Sequence, residues 1–187
     1  ASDVYKRQGL KNGNTITAAT ISFANKNVGS GDKVVTLDAI TLSDGNGGNN
    51  YQVTLGGNSS STITRQASVT WVGGATGEWF NPANWALTSN TNITGVVPDL
   101  SNVSAVVIPS GTTVTFNQSN LSGLAQAGAV NITTLTGGSL NLSNGDLSGT
   151  SISLVNLNTS AGTTLTSSTG LSVEPVSGTT NTVAGVL

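Results

Sequence analysis

Residues able to do acid–base or covalent chemistry are few and widely spaced in this sequence. The chain has no histidine and no cysteine, which excludes Ser-His-Asp and Cys-His catalysis and metal binding through histidine. Its C-terminal part offers the carboxylates of Asp99, Asp146 and Glu174, 47 and 28 residues apart, and no basic residue follows Arg65. Hydrolysis or elimination of polysaccharides needs clustered carboxylates and bases. We therefore expect no catalytic residues and no cofactor, and we assign these carboxylates to turns.

A second place for chemistry is the loop that carries Asp44, Asn46, Asn49 and Asn50. Carboxylate and amide oxygens at short spacing suit a hard cation such as calcium. The loop lacks the further carboxylates and the terminal bidentate Glu that give such sites their affinity. A hairpin loop rich in residues that tolerate positive φ explains the same residues. We therefore predict a structural loop and no metal site.

All three tryptophans lie in one short stretch, SVTWVGGATGEWFNPANW at 68–85. An aromatic side chain buries about 150–250 Å², so Trp71, Trp79 and Trp85 are able to close the open end of a β-stack. Exposed indoles could instead stack on sugar rings as a carbohydrate-binding platform. Such platforms have polar partners beside the rings, and only Glu78 is near. We predict a buried junction, with a carbohydrate-binding module as the alternative.

The charge content of the chain limits its partners. Charged residues make up 7% of the sequence, and Ser, Thr, Asn and Gly take the place of Lys and Glu. All six basic residues lie before position 66, so the net charge is +2 up to that position and −4 after it. Neither part has the clustered basic face that nucleic acids or anionic membranes require. No apolar run is long enough to span a bilayer, so we expect no membrane insertion by this segment.

The two ends of the chain differ from its middle. Residues 3–8, DVYKRQ, resemble the translated transposon end of a shotgun sequencing library, so we interpret them as adapter read-through and the chain as a metagenomic fragment. The alternative is a genuine short charged segment. We expect residues 1–13 to be non-native or disordered. The C-terminal NTVAGVL ends within a strand-like pattern, so we expect the parent protein to continue.

Short runs of alternating apolar and polar residues fill positions 14–66, and Gly/Asn/Ser-rich turns separate them. This period is that of strands with one buried face, and spacing near ten residues predicts a partial β-sandwich-like repeat. The predicted strands are 15–17, 19–23, 33–37, 40–42, 51–55 and 62–64, and the predicted turns are 25–32, 43–50 and 56–61.

Part of this segment resembles a known repeat. The run FANKNVG at 23–29, followed by VVTLDAITLSDGNGGNNYQVT at 34–54, is similar to the YDG-type repeat of filamentous-haemagglutinin-like bacterial exoproteins. The Tyr-Asp-Gly that names the repeat would lie upstream and is missing. The resemblance implies a secreted or cell-surface adhesin, and it implies no ligand.

The tryptophan-rich stretch, placed within 67–103, carries a second resemblance. TWVGGATGEWFNPANWA at 70–86 is similar to a module that precedes parallel β-helical stretches in secreted bacterial adhesins. The resemblance therefore implies that a β-helix follows. The matching positions are Trp71, Gly73, Gly74, Gly77, Trp79, Asn84 and Trp85.

The last segment, 104–187, repeats very short apolar cores between Gly, Ser, Asn and Asp. Stacked coils of a parallel β-helix give this pattern, since each coil places a few aliphatic side chains inside and ends in a turn. Two β-sandwiches would give a similar string and are the alternative fold. The cores are 105–108, 113–116, 130–132, 140–142, 152–154, 155–157, 163–165 and 171–173, and the predicted inward-facing residues are Val130, Ile132, Leu140, Leu142, Ile152, Leu154, Leu157 and Leu165.

Together these patterns predict an all-β chain with a structural role. We expect a non-enzymatic stalk or adhesion segment of a large secreted or cell-surface bacterial adhesin, whose partner is a receptor or glycan on a host or neighbouring cell. The sequence does not identify that receptor. The alternative functions are a carbohydrate-binding module and, third, a polysaccharide lyase.

Overall fold

The computed structural model describes residues 9–25, 27–121 and 130–187. The chain divides into two compact units, Ala1–Thr64 and Arg65–Leu187. The fold is all-β, as predicted, and its sheets are of mixed orientation. In the described ranges, no helix is both long and apolar enough to cross a membrane. The predicted 14–66 segment ends two residues beyond the first unit, whereas 67–103 and 104–187 contribute strands to one sheet.

The first unit is built on a three-stranded antiparallel sheet. Its strands are β1 (Thr15–Phe23), β2 (Gly29–Ser43) and β3 (Gly57–Ile63), in the order β1-β2-β3. Val35 and Leu37 are the buried apolar residues of its described part. In the described part of this unit, the predicted sandwich-like arrangement is therefore reduced to a single sheet, because only one face of β2 carries buried side chains.

One strand of the first unit was predicted in the wrong place. Alternation predicts a strand at 51–55 and a turn at 56–61, yet 51–55 is irregular and β3 covers most of the predicted turn. Gly57 pairs with Thr36, and the Leu37 amide donates to the Gly56 carbonyl at 3.1 Å. This Gly-, Asn- and Ser-rich segment can pair with β2 because these residues carry the same backbone N–H and C=O groups as apolar residues.

Within residues 65–121 and 130–187, the second unit holds an eight-stranded sheet and two short 3₁₀ turns. The strands are β4 Gln66–Trp71, β5 Thr76–Glu78, β6 Trp85–Leu87, β7 Asn90–Thr94, β8 Val103–Asn117, β9 Val130–Asn144, β10 Asp146–Thr159 and β11 Thr164–Val173, with 3₁₀ turns at Pro82–Asn84 and Gln118–Asn120. Their order in the sheet is β11-β10-β9-β8-β4-β6-β7, and β5 pairs with β8 outside this order. Pairing is parallel from β11 to β4 and between β5 and β8, whereas β6 and β7 pair in the antiparallel sense.

The parallel strands align like residues in rows. Leu147 of β10 lies opposite Val130 of β9 and Leu165 of β11. Further along, Leu157 lies opposite Leu140, 17 positions earlier. β8, β9 and β10 therefore each contain two of the predicted short cores, and in β9 the buried Leu135 lies between the two.

The core of the second unit contains rows of buried aliphatic side chains from its parallel strands. All eight residues predicted to face inward, from Val130 to Leu165, are buried, which confirms that prediction. Gly137 bends β9 with a φ of 98°, and a Cβ at this position would overlap the carbonyl oxygen of Ile108. Only glycine fits here, because it alone combines the left-handed conformation with such a close approach.

Candidate functional site

The first candidate site is the tryptophan cluster, which three local elements position. Trp71 at the end of β4 pairs with Trp85 at the start of β6. Between them, the 3₁₀ turn begins after Asn81, whose side-chain oxygen accepts from the Ala83 amide at 3.0 Å. Pro82 sits at the start of this turn, where its missing N–H costs nothing. The Asn81-Pro82 pair thus reverses the chain direction and brings Trp85 opposite Trp71.

The rings of the cluster form a chain of edge contacts. Trp85 lies 5.2 Å from Trp71 and 5.0 Å from Trp79, measured between ring centroids, with interplanar angles of 84° and 66°. Trp79 also contacts Phe116 at 5.2 Å, and Phe116 contacts Phe80 at 5.0 Å. Edge-to-face geometry is the favoured arrangement for aromatic pairs and adds about 0.5–1.5 kcal/mol each beyond burial.

Each indole N–H in this cluster has a carbonyl acceptor. Trp71 donates to Gly74 at 2.8 Å, Trp79 to Pro98 at 2.7 Å and Trp85 to the Trp79 carbonyl at 2.5 Å. The three side chains are 2%, 0% and 0% exposed. In this structure the indoles therefore have neither a free face to stack on a sugar nor a free N–H to donate to one.

Two further positions of the tryptophan motif have a packing role. Asn84 donates to the Glu78 carbonyl at 2.9 Å, which ties the 3₁₀ turn to β5. A Cβ on Gly73 would lie 2.5 Å from the Asn84 side chain and 2.7 Å from the Trp71 ring. A glycine is therefore required at 73 by the close approach of these two groups.

Sequence reasoning missed Phe116 and the turn before β8. Phe116 occupies an inward position of β8, and the alternation of TVTF at 113–116 was the signal that could have placed it in the cluster. In the turn, Asn102 accepts from the Asp99 amide at 2.9 Å and donates to the Val97 carbonyl at 2.8 Å. The Asn102 amide thus holds the chain that supplies the Pro98 acceptor.

The carboxylates considered for catalysis are dispersed over different elements. Asp99 is buried in the turn before β8. Asp146 begins β10, whereas Glu174 follows β11 and its amide donates to the Leu154 carbonyl, so the two lie at opposite ends of the paired β10 and β11. Among the described residues, no group of three or more acidic, histidine or cysteine side chains could hold a metal ion.

The Asp44 loop uses its carboxylate internally. Asp44 accepts from the amides of Gly48 and Asn46, each at 2.8 Å, and from that of Asn50 at 3.2 Å. These backbone hydrogen bonds, with that of Gly48 the largest influence, lower the pKa of Asp44. A carboxylate surrounded by amide donors organises a turn, in agreement with the predicted structural loop.

The second candidate site is the outward polar surface of the parallel strands. Asn158 donates to Asn141 at 3.0 Å, and Asn156 donates to Ser139 at 3.0 Å, each across neighbouring strands. Ser148 likewise bonds Asn131. These side chains form rows of amides and hydroxyls without formal charge. Such rows can offer many weak hydrogen bonds to a neutral polar polymer.

Comparisons with protein-family models, with curated proteins and with solved structures found no match for this chain. The class that the structure defines is therefore an all-β protein with a mixed sheet, a buried aromatic cluster and an uncharged polar surface.

Proposed function

We propose that this chain is a non-enzymatic stalk and adhesion segment of a large secreted or cell-surface bacterial adhesin, and that its second unit is a parallel β-helix. The observation that carries the proposal is the row register of β9, β10 and β11. The resemblance of 23–54 and 70–86 to filamentous-haemagglutinin-like exoproteins points in the same direction.

The short link between β9 and β10 supports the β-helix. β9 has 15 residues, so a straight strand would end roughly 45–50 Å from its start. Only Gly145 separates it from β10, which nevertheless runs parallel with Leu147 opposite Val130. Parallel neighbours in a flat sheet need a connection of about a dozen or more residues. A one-residue link favours a strand that itself turns through a full coil.

The buried aromatic cluster supports the role of an end closure. A stack of parallel strands exposes unpaired amide and carbonyl groups at its ends, which invites uncontrolled pairing. Here β6 pairs with β4 and β7 pairs with β6, both in the antiparallel sense, and the three tryptophans belong to the buried apolar core. Because the indoles are buried, this observation favours a closing element over the alternative of a tryptophan-based carbohydrate-binding module.

Adhesion would follow from repetition along the polar rows. Each Asn or Ser offers a weak contact, and many such contacts on one stiff body add up through avidity. The partner would be a glycan or receptor on a host or neighbouring cell. The dispersed carboxylates and the lack of a basic residue after Arg65 favour binding over polysaccharide cleavage.

Deleting one whole coil tests the β-helix. Removal of residues 147–164 puts Leu165 in the place of Leu147, the residue it lies opposite. A β-helix should keep its β-type circular dichroism and its cooperative unfolding, since repeat structures tolerate the loss of a unit. The control removes 147–155, half a coil, and should unfold the unit. Equal unfolding of both variants would rule out the β-helix and favour the sandwich alternative.

Bead-displayed protein tests adhesion. The chain is coupled to beads at graded densities and presented to cells and to immobilised neutral polysaccharides. We expect retention to rise steeply with coupling density, with the soluble chain a poor competitor. Density-independent retention, or cleavage of an acidic polysaccharide by the chain, would contradict an avidity-based adhesin.

A further inference from the structure

The link between β9 and β10 contains a residue pair that can modify itself chemically. It is Asn144-Gly145, one of three Asn-Gly pairs in the sequence, with Asn12-Gly13 and Asn46-Gly47. A glycine after asparagine leaves its own amide nitrogen unhindered, because glycine has no Cβ. That nitrogen can therefore reach the side-chain carbonyl carbon of the asparagine. Asn12 lies in the part that we interpret as non-native, so the comparison of interest is between Asn46 and Asn144.

The Asn46-Gly47 pair is held by the loop around it. The Asn46 side-chain amide donates to the side chain of Asn50 at 3.0 Å, and the Asn46 backbone amide donates to Asp44 at 2.8 Å. The Asn46 carbonyl accepts from the side-chain amide of Asn49 at 2.8 Å. Attack by the next nitrogen requires the side chain and the following peptide group to rotate toward each other, which would break these hydrogen bonds. We therefore expect Asn46 to react slowly in the folded chain.

The side chain of Asn144 has no such restraint. Asn144 is the last residue of β9 and is exposed. In the described part of the chain, no group forms a hydrogen bond with its side chain. Gly145 lies between the two strands and has a φ of 98°, so the regular strand backbone ends at this link. The carbonyl carbon of the Asn144 side chain is therefore accessible and able to turn toward the nitrogen of Gly145.

We propose that Asn144-Gly145 is a site of spontaneous deamidation and isomerisation in the folded protein. The Gly145 amide nitrogen loses its proton to the solvent and attacks the side-chain carbonyl carbon of Asn144, so that a C–N bond forms. The former side-chain nitrogen takes up a proton and leaves as ammonia, and a cyclic succinimide remains. Water opens this ring at either carbonyl and gives aspartate or isoaspartate. The reaction does not depend on the proposed adhesion role.

Isoaspartate would change the link between the two strands. Its main chain runs through the former side chain and is longer by one methylene group, and only Gly145 separates β9 from β10. The link has little room, because a Cβ on Gly145 would overlap the Gln118 side chain. That side chain accepts from the Asp146 amide at 3.3 Å. A longer main chain would displace Gln118 and shift β10 against β9, so we expect the isoaspartate form to be less stable.

Peptide mapping of the incubated 187-residue chain tests the site. The folded protein is kept in mildly alkaline buffer, which promotes loss of the proton from the attacking nitrogen, and mass spectrometry follows aspartate and isoaspartate at each Asn-Gly pair. Asn144 should convert several-fold faster than Asn46. In guanidinium chloride the hydrogen bonds of Asn46 are lost, so the two rates should become similar. Asn50→Ala removes one of these bonds and should speed the reaction of Asn46 alone. An Asn46 rate equal to or above that of Asn144 in the folded chain, or the same preference for Asn144 in guanidinium chloride, would overturn the proposal.

Urea unfolding followed by tryptophan fluorescence tests the effect on stability, since all three tryptophans lie in the second unit. The unfolding midpoint should fall as the isoaspartate content of the incubated protein rises. Asn144→Asp is the matched control, because it adds the charge without the extra methylene group, and it should unfold close to the fresh parent. Asn144→Gln would have to close a larger ring and should keep its midpoint during incubation. An unchanged midpoint despite isoaspartate at position 144, or an equal fall in Asn144→Gln, would show that the link is not the sensitive point.

Discussion

Replacing Trp79 tests whether the aromatic cluster is structural. The side chain is fully buried, contacts Trp85 and Phe116, and donates to the Pro98 carbonyl. Truncating a buried Trp to Ala costs about 3–5 kcal/mol, and a carbonyl left without its donor adds about 1–3 kcal/mol. We therefore expect Trp79→Ala to lower the free energy of unfolding by at least about 4 kcal/mol. A domain has only about 5–15 kcal/mol in total.

Trp79→Phe separates the two contributions and guards against a variant that does not fold. It keeps an aromatic ring and removes the N–H, so the expected loss is about 1–3 kcal/mol. Ile93→Ala on the exposed β7 is the control and should stay within about 0.5 kcal/mol of the parent.

Urea unfolding followed by tryptophan fluorescence is the assay. All three tryptophans lie in the second unit, so their emission follows that unit alone even if the two units unfold separately. A loss below about 1 kcal/mol for Trp79→Ala, with binding to immobilised sugars abolished, would refute the structural role and restore the carbohydrate-binding alternative.

Two further substitutions test local features. Gly137→Ala should destabilise the second unit by about 1–3 kcal/mol or more, because the left-handed backbone and the Ile108 carbonyl both exclude a Cβ; Gly170→Ala, with open space around its Cβ position, is the control in the same urea assay and should be nearly neutral. Asp44→Ala should speed hydrogen exchange of the Gly48 amide at pH 6. Because the folded pKa of Asp44 is lowered, its contribution is complete above a pH of about 4 and is lost as the pH falls through the lowered value, so the difference from the parent should shrink at pH 3. An unchanged difference at pH 3 would contradict this.

The apolar pattern alone identified much of the second unit. Alternation placed Leu140, Leu142 and Leu157 inside because side chains on a strand alternate between two faces. It did not reveal that two short cores share one strand, since Gly137 and Gly138 interrupt the apolar pattern within β9. The 17-residue offset is visible in SLNLSNGDL at 139–147 and NLNTSAGTTL at 156–165 when one residue is inserted.

Side-chain composition did not predict strand positions where backbone pairing determines them. The segment 51–55 has a strong strand pattern but is irregular, whereas the Gly, Asn and Ser of 57–61 pair with β2. Of the tryptophan cluster, the indoles were evident and Phe116 was not, because its partner Trp79 lies on another element. Contacts that join distant elements leave no local signal in one sequence.

The pairing of β9, β10 and β11 bears on the order in which the chain acquires structure. β10 aligns with β9 at a separation of 17 positions, and β11 aligns with β10 at a separation of 18 or 19. Contacts between residues that are close in sequence form at a low entropic cost, and each completed strand is a template for the next one. These strands can therefore fold one after another, starting from the N-terminal side, while the chain leaves the ribosome or an export channel.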